Sequence, residues 1–188
     1  MRILVVNNYD SFVYNLVHIL YELGVQDIEV VKNDKIDINQ VQHFEKLLLS
    51  PGPGIPEDAG LMPEIIQKFS HQKSILGVCL GHQAIAAHFG APLFNLKSPL
   101  HGVSSQISHF ENDYFFQNVP SNFKIGHYHS WAVSNELPAE LEVTATDDSG
   151  MIMALKHKTF DVRGVQFHPE SVLTEHGKTM LFNWINHK

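Results

Sequence analysis

The segment Gly77-Val78-Cys79-Leu80-Gly81 sets the single cysteine of the chain between two glycines, directly after an apolar run and before a stretch with helical periodicity. In that context a G-x-nucleophile-x-G segment forms a sharp elbow between strand and helix. The glycines permit the tight turn, and the helix N-terminus beneath the sulfur favours its thiolate. A cysteine nucleophile needs a base, and thirteen histidines are available. His168-Pro169-Glu170 stands out among them, because proline fixes the backbone so that the carboxylate two residues on can hold the imidazole. Cys79, His168 and Glu170 thus read as nucleophile, base and orienter. A third segment, Ser50-Pro51-Gly52-Pro53-Gly54-Ile55-Pro56, also follows an apolar run. Its peptide N–H groups, Gly52 foremost, could join that of Leu80 in receiving a developing oxyanion.

Each signal has a plainer reading when taken alone. A lone cysteine is often a small buried hydrophobe, His-Pro-Glu can be a turn with a solvated carboxylate, and Pro-Gly alternation can be a rigid turn. What joins the three is position: each falls at the C-terminal end of an expected parallel strand, where open α/β sheets place their sites.

The elements that must hold these residues follow from the apolar pattern. Residues 2–7 form a continuous apolar run that suits a strand buried on both faces. Phe12, Val13, Leu16, Val17, Leu20 and Leu23 recur at helical spacing, and Gly24 supplies the stop. The unit repeats: strands are expected at 28–31, 46–49 and 74–78, with helical stretches up to about Phe44, from 61 to 69 and from 82 to 89. The second half changes character. Segments 103–109, 123–129, 141–146, 151–157 and 161–167 read as strands with short turns, before a last amphipathic helix at about 175–185. The expected architecture is α/β, with a mainly parallel central sheet, helices on both faces and an antiparallel extension. The 188 residues are expected to form one domain.

Composition narrows the function classes. Thirteen Lys and Arg against twenty Asp and Glu leave a net charge of -7, which argues against phosphate backbones and anionic lipid as partners. No apolar run approaches the roughly 20 residues of a membrane span, one cysteine cannot close an intrachain disulfide, and no leader pattern is seen; a reduced, cytoplasmic protein is the expectation. His127 and His129 lie two apart on an expected strand and could form a metal pair with His168 or Glu170, but no second thiol or H-E-x-x-H helix supports it. Asp147-Asp148-Ser149-Gly150 lacks the remaining ligands of a calcium loop and reads as a turn, while Phe115 and Phe116 read as packing. No nucleotide-binding glycine motif occurs, and no cofactor is expected.

Ser50–Pro56, Gly77–Gln83, Tyr128-His129-Ser130 and Gly164–Ser171, in this order, resemble the signatures of the class I (triad) glutamine amidotransferases, whose sheet is flavodoxin-like. Asn8-Tyr9-Asp10-Ser11-Phe12 is similar to the chorismate-using branch, the glutaminase subunits of anthranilate synthase and aminodeoxychorismate synthase. The resemblance implies Cys79 as nucleophile, His168 as base and Glu170 as orienter, with Gly52 and Leu80 forming the oxyanion hole. It places Gly52, Pro53, Gly54, Gln83, Ser130 and Trp131 around the glutamine substrate. It further implies a hetero-oligomer with a chorismate-binding synthase subunit that consumes the ammonia; an anthranilate-forming partner, an aminodeoxychorismate-forming one, or both, stay open, as does a self-contained γ-glutamyl hydrolase. Two positions depart from the branch: His127 stands where arginine is common, and Val103 where lysine is.

Overall fold

A computed structural model describes residues 1–110 and 113–187 as an α/β fold with a nine-stranded sheet. The strands are β1 (Arg2–Asn7), β2 (Asp27–Lys32), β3 (Lys46–Leu49), β4 (Ser74–Val78), β5 (Leu93–His109), β6 (Asn122–Val133), β7 (Leu141–Asp147), β8 (Ile152–His157) and β9 (Val162–Val165). The helices are α1 (Val13–Glu22), α2 (Met62–Phe69), α3 (Leu80–His88) and α4 (Gly177–Asn186). Strand order is β2-β1-β3-β4-β9-β8-β7-β5-β6. The first five strands in that order run parallel and the rest pair antiparallel; β9 departs from the antiparallel pairing expected of the second half, since it joins the parallel set beside β4 and meets β8 antiparallel.

Burial on both faces explains the continuous apolar runs. Side chains alternate across a strand, so Ile3, Val5, Leu48, Leu76 and Val78 pack with α1 and α4, including Leu16, Leu20 and Trp184. Leu4, Val6, Leu47, Leu49 and Ile75 pack on the opposite face with Ile65, Ile66 and Ile85 of α2 and α3. Phe115 and Phe116 are buried in the first of these cores.

Two other segments depart from expectation. The expected helix up to Phe44 is absent: after β2 the chain makes successive turns and one short 3-10 helix, Val41–His43. Asp37 explains the change, since its side chain accepts from Asn39 N–H and its carbonyl from Gln40 N–H, offering the backbone local bonds in place of a helix. The expected strand 103–109 begins ten residues earlier, at Leu93, and pairs with β6 through two register shifts near Pro99 and Gly102.

Because β1, β3, β4 and β9 are adjacent and parallel, their C-terminal ends share one edge. Asn8, Ser50, Cys79 and Gln166 each follow immediately. On the opposite edge, where the strands begin, Lys46 Nζ donates to Ser74 Oγ at 3.1 Å and to the His187 carbonyl at 2.9 Å. A hollow of about 700 Å³ lies there, lined by Met1, Lys46, Asp161 and His187 among others. Cys79, His168 and Glu170 do not line it. Arg163, on β9, bonds Asp113 at 2.6 Å with both side chains buried, fixing this strand against the turn at Tyr114–Phe116.

Candidate active site

Cys79 occupies the turn between β4 and α3 with φ 52° and ψ −100°, a conformation costing about 1–3 kcal/mol in a residue other than glycine. Neighbouring glycines make the turn possible. A methyl group on Gly81 would strike the Leu49 carbonyl and lie 2.7 Å from the Leu49 side chain, and one on Gly77 would strike the Gly81 backbone. The Cys79 N–H donates to the Val165 carbonyl at 2.8 Å, tying the elbow to β9.

The His168–Glu170 pair, expected as base and orienter, forms by a local route. Ser171 N–H donates to the His168 carbonyl at 3.1 Å, closing a turn with Pro169 at its second position. The turn returns Glu170 to the ring, and Oε1 lies 2.6 Å from His168 Nδ1 with both side chains at most 4% exposed. His168 Nε2 is buried with no hydrogen bond of good geometry. Burial disfavours the imidazolium, but interactions with the Cys79 sulfur and with Glu170 outweigh it and push His168 up to about 10. The Cys79 sulfur is thus close enough to favour a proton on the ring, without a hydrogen bond of good geometry to Nε2. Tyr128 stacks edge-on over His168, its ring centre 4.9 Å away, and its hydroxyl lies 3.0 Å from Ser171 Oγ.

A protonated His168 makes stability depend on pH. An unfolded histidine loses its proton near 6.5, so the folded chain holds an extra proton from there up to about 10. The stabilisation is complete below the lower value and is lost as pH rises through the upper one. The thermal midpoint of the native chain is expected to fall more steeply between these limits than that of His168→Gln; equal slopes would show that the ring is neutral.

The loop after β3 lies beside the elbow. Asn8 holds it: its N–H donates to Ser50 Oγ at 2.9 Å and its Nδ2 to the Ser50 carbonyl at 2.8 Å, while Asn33 Nδ2 donates to Asn8 Oδ1 at 3.0 Å. Gly52 sits so close that an added methyl group would lie 2.5 Å from Asn8 Cβ and 2.9 Å from the Leu80 side chain. Gly52 and Leu80 are thus neighbours, and Leu80 opens α3, where first-turn N–H groups have no partner within the helix. Pro53 and Gly54 continue this loop, and Gly54 takes a positive φ of 81°.

Among the other expected glutamine contacts, Ser130 and Trp131 lie on β6 and Gln83 in α3. Gln83 Nε2 is engaged within the protein, donating to the Trp131 carbonyl at 2.8 Å and to Gln166 Oε1 at 3.0 Å. Gln166 escaped the sequence reading. It is fully buried, and its Nε2 lies 3.6 Å from Cys79 Sγ. A polar residue inside the run Val165-Gln166-Phe167, two positions before the base, was the available signal. His127 and His129 bond to each other at 3.0 Å instead of converging with His168 or Glu170 on a common point.

A strained cysteine elbow, a buried His–Glu pair and a glycine loop on one sheet edge agree with the model of class-I glutamine amidotransferases, which matches residues 4–187. The chain belongs to this family. Relatives of this amidotransferase include the "Anthranilate synthase component 2" of Mycobacterium tuberculosis, 46% identical over 98% of this chain and 82% of that one. The "Aminodeoxychorismate/anthranilate synthase component 2" of Bacillus subtilis is 42% identical over 97% and 95%. The amidotransferase spans only 32% of the "Bifunctional protein TrpGD" of Thermotoga maritima, at 44% identity. A crystal structure from Thermoplasma acidophilum, described as that of a candidate GMP synthase subunit, superposes with a TM-score of 0.88 at 30% identity, covering 98% of this chain and 92% of that one.

Proposed function

We propose that this chain is the glutaminase subunit of an enzyme that aminates chorismate, with anthranilate synthase as the first reading. The buried His168–Glu170 pair at 2.6 Å, on the same sheet edge as the strained turn at Cys79, is the observation that carries it. Names carried by the relatives supply the pathway, and two of them name both anthranilate-type chemistry and a component 2 role.

In the proposed reaction the Cys79 thiolate attacks the glutamine carboxamide carbon, and the oxyanion forms against the Gly52 and Leu80 N–H groups. Glu170 holds the imidazolium of His168, which gives its proton to the departing nitrogen, so that ammonia leaves and a γ-glutamyl thioester remains. The neutral imidazole then takes a proton from water as it attacks the thioester, releasing glutamate and restoring the thiolate and imidazolium. Pro53, Gly54, Gln83, Ser130 and Trp131 surround the substrate in this proposal. No metal or cofactor enters any step.

The ammonia is consumed by a synthase subunit in a hetero-oligomer, in solution in the cytoplasm. Apolar exposure beside the base supports such a covering partner: Phe12 is 45% exposed, Val172 fully exposed, and both line a small hollow with Tyr128 and His168. No described helix is long and apolar enough to cross a membrane.

Mixing the purified chain with chorismate, glutamine and either an anthranilate-forming or an aminodeoxychorismate-forming large subunit tests the proposal. One or both mixtures are expected to yield the aromatic amine from glutamine and to accelerate ammonia release. Full glutaminase rate from the chain alone, with neither large subunit changing it, would favour a self-contained hydrolase instead.

A further inference from the structure

The loop Ser50-Pro51-Gly52-Pro53-Gly54 holds a single amide donor at its middle, since Pro51 and Pro53 carry no N–H. That donor is Gly52, and among the described residues no backbone carbonyl accepts from it. Proline fixes φ at position 51, which leaves ψ of Pro51 and φ of Gly52 as the soft dihedrals on either side of the Pro51–Gly52 peptide. Glycine tolerates both signs of φ. The peptide can therefore turn over at little steric cost unless something holds it.

Ser50, wholly buried, supplies the hold. Asn8 N–H donates to Ser50 Oγ at 2.9 Å, so the hydroxyl hydrogen cannot point there. It goes to the Pro51 carbonyl, 2.7 Å away, which can only accept it. Asn8 Nδ2 meanwhile holds the Ser50 carbonyl at 2.8 Å, so the preceding peptide is fixed as well. No peptide bond is cis, and across a trans peptide the N–H and C=O point in opposite directions. With the Pro51 carbonyl drawn back to Ser50, the Gly52 N–H is turned away from it.

We propose that the Ser50 hydroxyl locks the oxyanion hole: by bonding the Pro51 carbonyl it fixes the Pro51–Gly52 peptide with the Gly52 N–H presented to the glutamine oxyanion beside that of Leu80. Ser50 is then a positioning residue, acting through Pro51 and touching no reacting atom. Without the hydroxyl, the carbonyl of buried Pro51 is left unpaired, which is unfavourable. A half-turn of the peptide relieves this by aiming that carbonyl at the N–H groups that open α3, next to Gly52, where Leu80 stands. One donor is then lost and the other masked.

The inference rests on the proposed function in taking the Gly52 N–H as an oxyanion donor. Two reactions of Cys79 test it, in the intact chain mixed with whichever large subunit supports turnover. Glutamine turnover passes through an oxyanion, whereas alkylation by iodoacetamide displaces iodide at a saturated carbon and develops none. Losing one such donor costs about 10²–10³ in kcat. Ser50→Ala is therefore expected to lower kcat for ammonia release at least about tenfold, with KM little changed and Cys79 alkylation within about twofold of native. A smaller loss of kcat, a loss carried by KM instead, or alkylation that falls in step overturns the proposal. If Ser50→Ala does not fold, crystals of the native chain decide: a Pro51 carbonyl turned toward Cys79 overturns the lock, and one bonded to Ser50 Oγ upholds it. Ammonia release by Cys79→Ala would defeat the functional reading, whereas an essential Cys79 beside a fully active Ser50→Ala would defeat the lock alone.

Discussion

Cys79→Ala is expected to reduce ammonia release from glutamine to background, a loss of at least about four orders of magnitude by analogy with other enzymes stripped of their nucleophile. Only position 79 sits in the turn with φ 52°, held between a glycine that contacts the Gly81 backbone and a helix pressed against Leu49. No other cysteine exists to substitute. Alanine also relieves no packing, since the sulfur is a small part of the core, so the variant should fold and still bind glutamine. Loss of turnover with glutamine binding retained, measured by ammonia release and by calorimetry, is the expected pair of results. Retained turnover would remove Cys79 from the chemistry.

Glu170→Gln is the second large effect. Its carboxylate is almost wholly buried and accepts from His168 Nδ1, which leaves Nε2 as the nitrogen available to the reacting atoms. A glutamine of the same shape can turn its amide nitrogen toward the ring, and the imidazole then carries its proton on the other nitrogen. It also withdraws the negative charge that helps keep the ring protonated. Comparable replacement in a serine triad costs about 10⁴ in kcat, and a loss of about 10²–10⁴ is expected here, with little change in KM. A drop below tenfold would mean that Glu170 is not the orienter.

Much of this site could be read from the sequence because the physics that builds it is local. The elbow at Cys79 needs its glycines on either side, and His168 receives its carboxylate from the same four-residue turn. The parallel strands could be read for a related reason: burial on both faces leaves uninterrupted apolar runs such as residues 2–7 and 46–49. What escaped depends on contacts distant in sequence. Gln166 gains meaning only from Gln83 and Cys79, some 83 and 87 positions away. Residues 33–44 offered apolar positions at nearly helical spacing, yet Ile36, Val41 and Phe44 reach the core singly from a turning segment. The early half of β5 is largely exposed and interrupted, so alternation gave no signal there.

The bond from Lys46 to the His187 carbonyl bears on how the molecule can be handled. That tether fastens His187 where the strands start, while glutamine chemistry is proposed where they finish. An immobilising linker attached to a side chain beside His187 therefore leaves the opposite rim open to solvent. Anchoring by that edge of the sheet suits sensors and surface assays in which a large second protein must still approach.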